Sequence, residues 1–161
     1  MEDACHEEVL QLVKDGKIRP LGPNEPTMFL HPGFFVMKNN KKPRLLTDLT
    51  GLNLVLERPV YPFLSTKDLL KKVNPEGRWF AKLDFLKGFF QVALDKASQL
   101  LTAFILPEGR FAYTAVPMGC SLSSDVFIQI SDMLLSGLGL EGHILKLVDD
   151  LLVMAPTKAI L

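Results

Sequence analysis

Cysteine is scarce in this sequence. Cys5 and Cys120 lie far apart and no CxxC pair occurs, which argues against a disulfide scaffold and against a zinc site. A surplus of one charge is missing too. The 18 Lys plus Arg balance 18 Asp plus Glu, so no global field marks the chain for nucleic acid. No stretch reaches the roughly 20 uncharged apolar residues that cross a bilayer, and no membrane role is expected. The first residues, MEDACHEEVL, are acidic and lack the basic-then-apolar order of a secretory leader. These absences point to a reducing, intracellular setting. Internal repeats and low-complexity tracts are also missing, which excludes a solenoid or a linker-like chain.

Apolar material is plentiful: 48% of 161 residues. That suffices for a core, so the chain is one domain or a piece of a larger one rather than a disordered segment. EEVLQLVKDGKI, residues 7–18, spaces Val9, Leu10 and Val13 as a helix that Gly16 ends. Pro20, Gly22, Pro23, Pro26 and Pro32 mark a long irregular segment. FFVM (34–37) and RLLTDL (44–49) read as strands joined by NNKKPR, and with Lys38 that loop holds four cations in seven residues. By itself such a cluster reads as a solvated loop. STKDLLKKV (65–73) is a short helix with a Ser or Thr cap. RWFAKLDF (78–85) alternates like a strand, with Trp79, Ala81 and Leu83 on one face and Phe80, Lys82 and Asp84 on the other. FILPEGRFAYTAV (104–116) reads as a hairpin turning at PEGR.

SLSSDVFIQISDMLLSGLG, residues 121–139, is the clearest helix, with Leu122, Val126, Ile130, Met133 and Leu134 as its apolar stripe. A serine can cap its start, Asp125 suits the positive end of its dipole, and Gly137 and Gly139 end it. ILKLVDDLLVMA (144–155) reads as two strands around a tight turn at Asp149-Asp150. This mixture predicts an α+β domain, an antiparallel sheet with helices on one face.

Two adjacent carboxylates inside an apolar run demand compensation, because a buried unpaired charge costs several kcal/mol or more and neighbouring carboxylates repel. Water at a turn, a basic side chain or a bound cation would each serve. A solvated turn is the plain reading, since Asp is common in turns. Asp84 adds a third carboxylate at the end of another apolar strand. Three such groups converging at one sheet edge would form a two-metal site, and oxygen-only ligands favour Mg²⁺ or Mn²⁺ over Zn²⁺.

The chain resembles the fingers-palm region of a reverse transcriptase, of the kind found in Gypsy-type LTR retrotransposons and retroviruses. KLDFLKGFFQVALD is similar to the first palm motif LDLxSGYxQI. LLTAFILPEGRFAYTAVPMGCSLSSDVFIQ is similar to the TAF…MPFGLxNAPxxFQ segment, LVDD to the YxDD box, KNNKKPRLLTDLTGLN to the fingers segment, and EEVLQLVKDGKIRP to the helix that precedes it. A lone DD pair is weakly specific; five motifs in this order and spacing are specific. The resemblance implies a polymerase palm with partial fingers, residues 1–77 mostly fingers and 78–161 mostly palm, ending after the DD hairpin.

The implied activity is RNA-directed DNA polymerisation: addition of dNTPs to a primer 3′-end on an RNA or DNA template, with two Mg²⁺ or Mn²⁺ ions. Asp84 and Asp149 match the direct metal ligands, Asp150 the third carboxylate, and Phe85 a backbone carbonyl ligand. Arg44 matches the arginine that stacks on the incoming base and contacts its phosphates, and Lys38 a triphosphate-binding lysine, with Lys41 as the other candidate. Phe89 matches the aromatic that blocks a ribose 2′-hydroxyl, its alternative being an ordinary core ring. Met118, with Pro117 and Gly119, matches the loop beside nucleotide and template.

Departures from the pattern are Leu147 in place of the YxDD tyrosine near the primer end, Ser124 in place of a proline and Ile128 in place of a glutamine. The chain stops about ten residues after Asp150, so thumb and RNase H regions are expected to be absent, to be supplied by a longer chain or a dimer partner. Two other readings stay open: a decayed or domesticated fragment that binds nucleic acid or protein without catalysis, and a remnant with no selected role. The resemblance places the protein in the cytoplasm or a virus-like particle, with the nucleus as a further option.

Overall fold

The computed structural model of the chain describes residues 2–37, 42–57, 65–140 and 142–158. Its residues gather into two compact units, Met1–Arg58 with Phe89–Ser123, and Pro59–Gly88 with Ser124–Leu161. The units interleave along the chain, whereas the division implied by the resemblance runs in sequence order.

The first unit is built on five strands: β1 (Ile18–Pro20), β2 (His31–Met37), β3 (Pro43–Thr47), β5 (Phe104–Leu106) and β6 (Gly109–Tyr113). Their order is β1-β6-β5-β2-β3, antiparallel throughout except for the parallel pair β2–β5. Helix α1 (Glu2–Lys14) puts Val9 and Leu12 into a core completed by Ile18, Leu45, Phe104, Leu106, Phe111 and Tyr113. Acidic residues open α1 and Lys14 closes it, matching the dipole, and Gly16 turns the chain at φ 62. Leu10, expected inside, is 55% exposed, while Leu12 takes its place. A buried polar pair is satisfied internally, Thr47 Oγ1 lying 2.9 Å from the Tyr113 hydroxyl. Burial pushes the Tyr113 phenol up. The β5–β6 hairpin turns as expected, Leu106 pairing with Gly109. Two short helices complete the unit: α2 (Thr50–Asn53) and α4 (Lys96–Leu101), the latter capped by the Asp95 carboxylate on the Ala97 and Ser98 amides.

The second unit holds β4 (Trp79–Asp84), β7 (Ile144–Leu147) and β8 (Asp150–Ala155) in the order β4-β8-β7, all antiparallel. With them go α3 (Thr66–Lys71), capped by Ser65, and all but the first residue of α5 (Ser123–Ser136). β4 forms as a strand as expected, yet its burial does not alternate: Trp79 is 45%, Phe80 51% and Leu83 52% exposed.

Helix α5 corrects the expected stripe. Met133 and Leu134 are 75% and 66% exposed, and the buried residues are Ser123, Asp125, Phe127, Ile128 and Ser131. The serines turn inward because their hydroxyls bond to main-chain carbonyls; Ser131 Oγ donates to the Phe127 carbonyl at 2.6 Å. A buried serine with an internal acceptor costs little, so the helix is free to face its two largest core side chains inward. Among the described residues no buried side-chain nitrogen or oxygen lacks a partner.

Candidate active site

The carboxylates lie where β4 and β8 end together. In the register of this pair Asp84 stands opposite Asp150, and directly opposed residues of an antiparallel pair project from the same face, with Cβ atoms about 4.5–5.5 Å apart. One step further, the Phe85 amide donates to the Asp149 carbonyl at 3.2 Å, tying the segment after Asp84 to the hairpin tip. The turn is displaced by one residue from the sequence expectation. Leu147 pairs with Asp150, so the central residues are Val148 and Asp149, and Asp150 already belongs to β8. Val148 has φ 58, the requirement of the first central position of a II′ turn. For a β-branched residue this is a true outlier, a strain of about 1–3 kcal/mol.

Water and Lys82 together answer the charge problem, since Asp84 and Asp149 are exposed and Asp150 is partly so. Lys82 lies two residues before Asp84, on the same face, and its Nζ is 2.9 Å from Asp150 Oδ1. The Asp150 hydrogen bond holds the Lys82 ammonium above its usual range, reinforced by the Asp150, Asp84 and Asp149 charges. Among the described residues no three carboxylate, imidazole or thiol side chains are grouped as a metal shell. The expected convergence of three aspartates is thus an opposed pair with a neighbour in the turn, and a lysine supplies the local positive charge. The donor set consists of hard carboxylate oxygens, and that chemistry fits Mg²⁺ or Mn²⁺.

Gly88 sets the segment after Asp84 against α5. A Cβ there would lie 2.8 and 2.9 Å from the Phe127 ring. Phe85 meets the same ring edge-on at 5.3 Å.

In the first unit, two residues matched to nucleotide binding meet. Arg44, on β3, places Nη2 2.6 Å from Met118 Sδ. Pro117 is buried, and the Gly119 backbone is left-handed at φ 90. Asn53 braces this loop: its Nδ2 donates to the Gly119 carbonyl at 2.9 Å, and its Oδ1 accepts the Ser121 amide at 2.8 Å. Phe89 is half-buried in a 3-10 turn, Gly88–Gln91. Leu147, closing β7, is 41% exposed. Lys38 and Lys41 lie outside the described residues, and Lys42 is exposed.

Sequence reading missed Lys82, Lys146, Gly88 and Asn53 as site-building residues. The available signals were a single cation in each carboxylate-bearing apolar strand, the glycine of KGFF and the asparagine of TGLN. Among the described residues no helix is long and apolar enough to cross a membrane.

Comparison with known proteins adds an independent line. The chain is 27% identical over 149 residues to the retrovirus-related Pol polyprotein from transposon 412 of Drosophila melanogaster, covering 91% of this chain and 12% of that polyprotein. It is 26% identical to the Pol polyprotein from transposon gypsy of the same organism, covering 99% of this chain and 15% of the relative. The chain therefore spans only a small part of the curated relatives it matches. Among solved structures, the foamy viral protease-reverse transcriptase in complex with dsDNA matches with a TM-score of 0.83 at 21% identity, over 97% of this chain and 31% of that one. The same enzyme with an RNA/DNA hybrid matches with a TM-score of 0.81 at 20% identity, over 98% of this chain and 20% of that one. These structures share the fold. The family model described as reverse transcriptase (RNA-dependent DNA polymerase) matches residues 36–161. That match takes in most of the chain, from the second strand through the aspartate hairpin, and the chain belongs to the reverse transcriptase family.

Proposed function

We propose that this chain carries the metal-binding and nucleotide-binding part of an RNA-directed DNA polymerase of a retroelement polyprotein, adding dNTPs to a primer 3′-end on an RNA or DNA template. The observation that carries this reading is the Asp84–Asp150 register pair at the shared end of β4 and β8, with Asp149 in the adjoining turn. Asp84, Asp149 and Asp150 would hold two divalent cations, with the Phe85 carbonyl as a further ligand. When bound, such ions lower the pKa of the attacking hydroxyl and neutralise the triphosphate. The protein's own part is positioning, which in polymer synthesis dominates the chemistry.

Arg44 suits a base and a phosphate at once, because guanidinium is planar and forked; its contact with Met118 supports a shared task. Lys38 remains a triphosphate contact on the motif alone. Phe89 would exclude a ribose 2′-hydroxyl by clash and by offering it no partner. Pro117 and Gly119 would line the template side, and Leu147 would face the primer end. With balanced charge, template-primer binding would rest on few phosphate contacts, and would therefore be weak and fall only gently with salt. An intracellular site of action, cytoplasmic or in a particle, fits this role.

The second reading, a fragment that binds nucleic acid without catalysis, is favoured by the Lys82–Asp150 ion pair and by Leu147. Primer extension on an annealed RNA template with Mn²⁺ and low salt separates the two. The polymerase reading expects dNMP addition that Asp149→Asn abolishes. Nucleic-acid binding without extension would favour the second reading, and equal extension by Asp149→Asn would overturn the assignment of the carboxylates. Phe89→Val is expected to admit rNTPs; unchanged sugar preference would return Phe89 to a core aromatic.

A further inference from the structure

We infer that Lys146 is a positioning residue that locks the aspartate hairpin to helix α5. It is the one cation in ILKLVDDLLVMA, and a lysine in a strand ordinarily extends its ammonium to water. Here the side chain is only 9% exposed. Its Nζ lies 2.8 Å from the Ile128 carbonyl, 2.6 Å from Ser131 Oγ and 2.6 Å from Asp132 Oδ1. An ammonium has three protons and no acceptor, and all three are used within a single turn of α5. Ser131 Oγ passes its own proton to the Phe127 carbonyl, which leaves an oxygen lone pair for Lys146.

Such a network is directional where apolar packing is not. β7 cannot slide or rotate along α5 without leaving a buried cation short of an acceptor, a costly state. Lys146 is also placed to transmit that constraint. Its Cα pairs with Leu151, the next residue pairs Leu147 with Asp150, and the strained Val148 follows. The ammonium thus sets the height of the turn from which Asp149 and Asp150 project. This inference rests on the proposed cation site and deepens it.

Simple electrostatics gives the opposite expectation, which makes the test sharp. Removing a positive charge near carboxylates should tighten a divalent cation, whereas losing a lock that holds the ligands should loosen it. The measurement is Mn²⁺ titration of the 161-residue chain, followed by the spin-resonance signal of the unbound ion. Lys146→Met keeps the length of the side chain and is expected to raise the Kd about 10-fold, the scale of lost supporting contacts around a metal. Asp132→Asn, at the half-exposed end of the network, is expected to shift it the same way by less. It serves if Lys146→Met fails to fold. Met154→Ala, in β8 but outside the network, should lower the melting temperature and leave the Kd unchanged. An unchanged or lower Kd in Lys146→Met overturns the inference. Amide exchange without metal gives a second readout: Val148, Asp149 and Asp150 should exchange faster in Lys146→Met, and unchanged rates overturn the lock. Failure of Mn²⁺ to bind the unaltered chain would instead sink the cation site, with the exchange rates still deciding the lock.

Discussion

At the scale of single residues, the site depends on two backbone positions. Gly88 is there because the Phe127 ring occupies the space of a Cβ. Gly88→Ala should force ring or backbone to shift and cost about 1–3 kcal/mol, the usual cost of overpacking; an unchanged thermal melt would contradict this. Val148 sits at φ 58 against its preference. Val148→Gly should relieve that strain and raise stability by about 1 kcal/mol despite some lost packing, and a lowered melting temperature would show that the turn is not strained. The aspartates were legible in the sequence because charge inside an apolar run is conspicuous. Lys82 and Lys146 stand in the same two runs but could not be placed. Whether a strand lysine reaches water, a carboxylate or a helix depends on register, and register is not written locally.

At the scale of elements, the strands were the easiest part to read. β2, β3, β4 and the β5–β6 hairpin follow from alternation and turn residues. The six-residue α4 was missed because it is too short to show a stripe and depends on one capping carboxylate, Asp95. The face of α5 was misread because hydrophobicity alone cannot reveal that Ser123 and Ser131 satisfy themselves inside. Capping and loop carboxylates also set the acid response. The Ser98 hydroxyl holds the Asp95 carboxyl below its ordinary value, the Thr50 hydroxyl does so for Asp48, Lys71 for Asp68, and Arg19 for Glu25. Each folded value is depressed, so the stabilisation is complete above the unfolded values near 4 and is lost as pH falls through the folded ones. Lys82, raised in the fold, works the other way: its contribution is complete below about 10.4 and lost as pH rises beyond that. Melting temperature should therefore hold between roughly pH 5 and 10 and fall on both sides. In acid, Asp95→Asn should flatten part of the fall, and an identical acid limb would remove Asp95 from the account.

At the scale of the whole molecule, a chain without net charge is recognisable as a reverse transcriptase family member because its motifs keep their order, although it spans 12% and 15% of the transposon polyproteins. The order of motifs was visible in the sequence; the interleaving of two units was not, since only long-range contacts define it. If the carboxylates form a cation site, Mn²⁺ should raise the melting temperature of the chain, and Asp149→Asn should raise it in the absence of metal by relieving repulsion. A melt unaffected by millimolar Mn²⁺ would count against both. The central claim, that Asp84, Asp149 and Asp150 together hold divalent cations, is tested most directly by anomalous scattering from crystals of the chain soaked in Mn²⁺. The expected result is a peak within coordination distance of Asp84 and Asp149 oxygens, with the Lys82 ammonium withdrawn from Asp150. A crystal with no peak at these carboxylates, and Lys82 still bonded to Asp150, would contradict it.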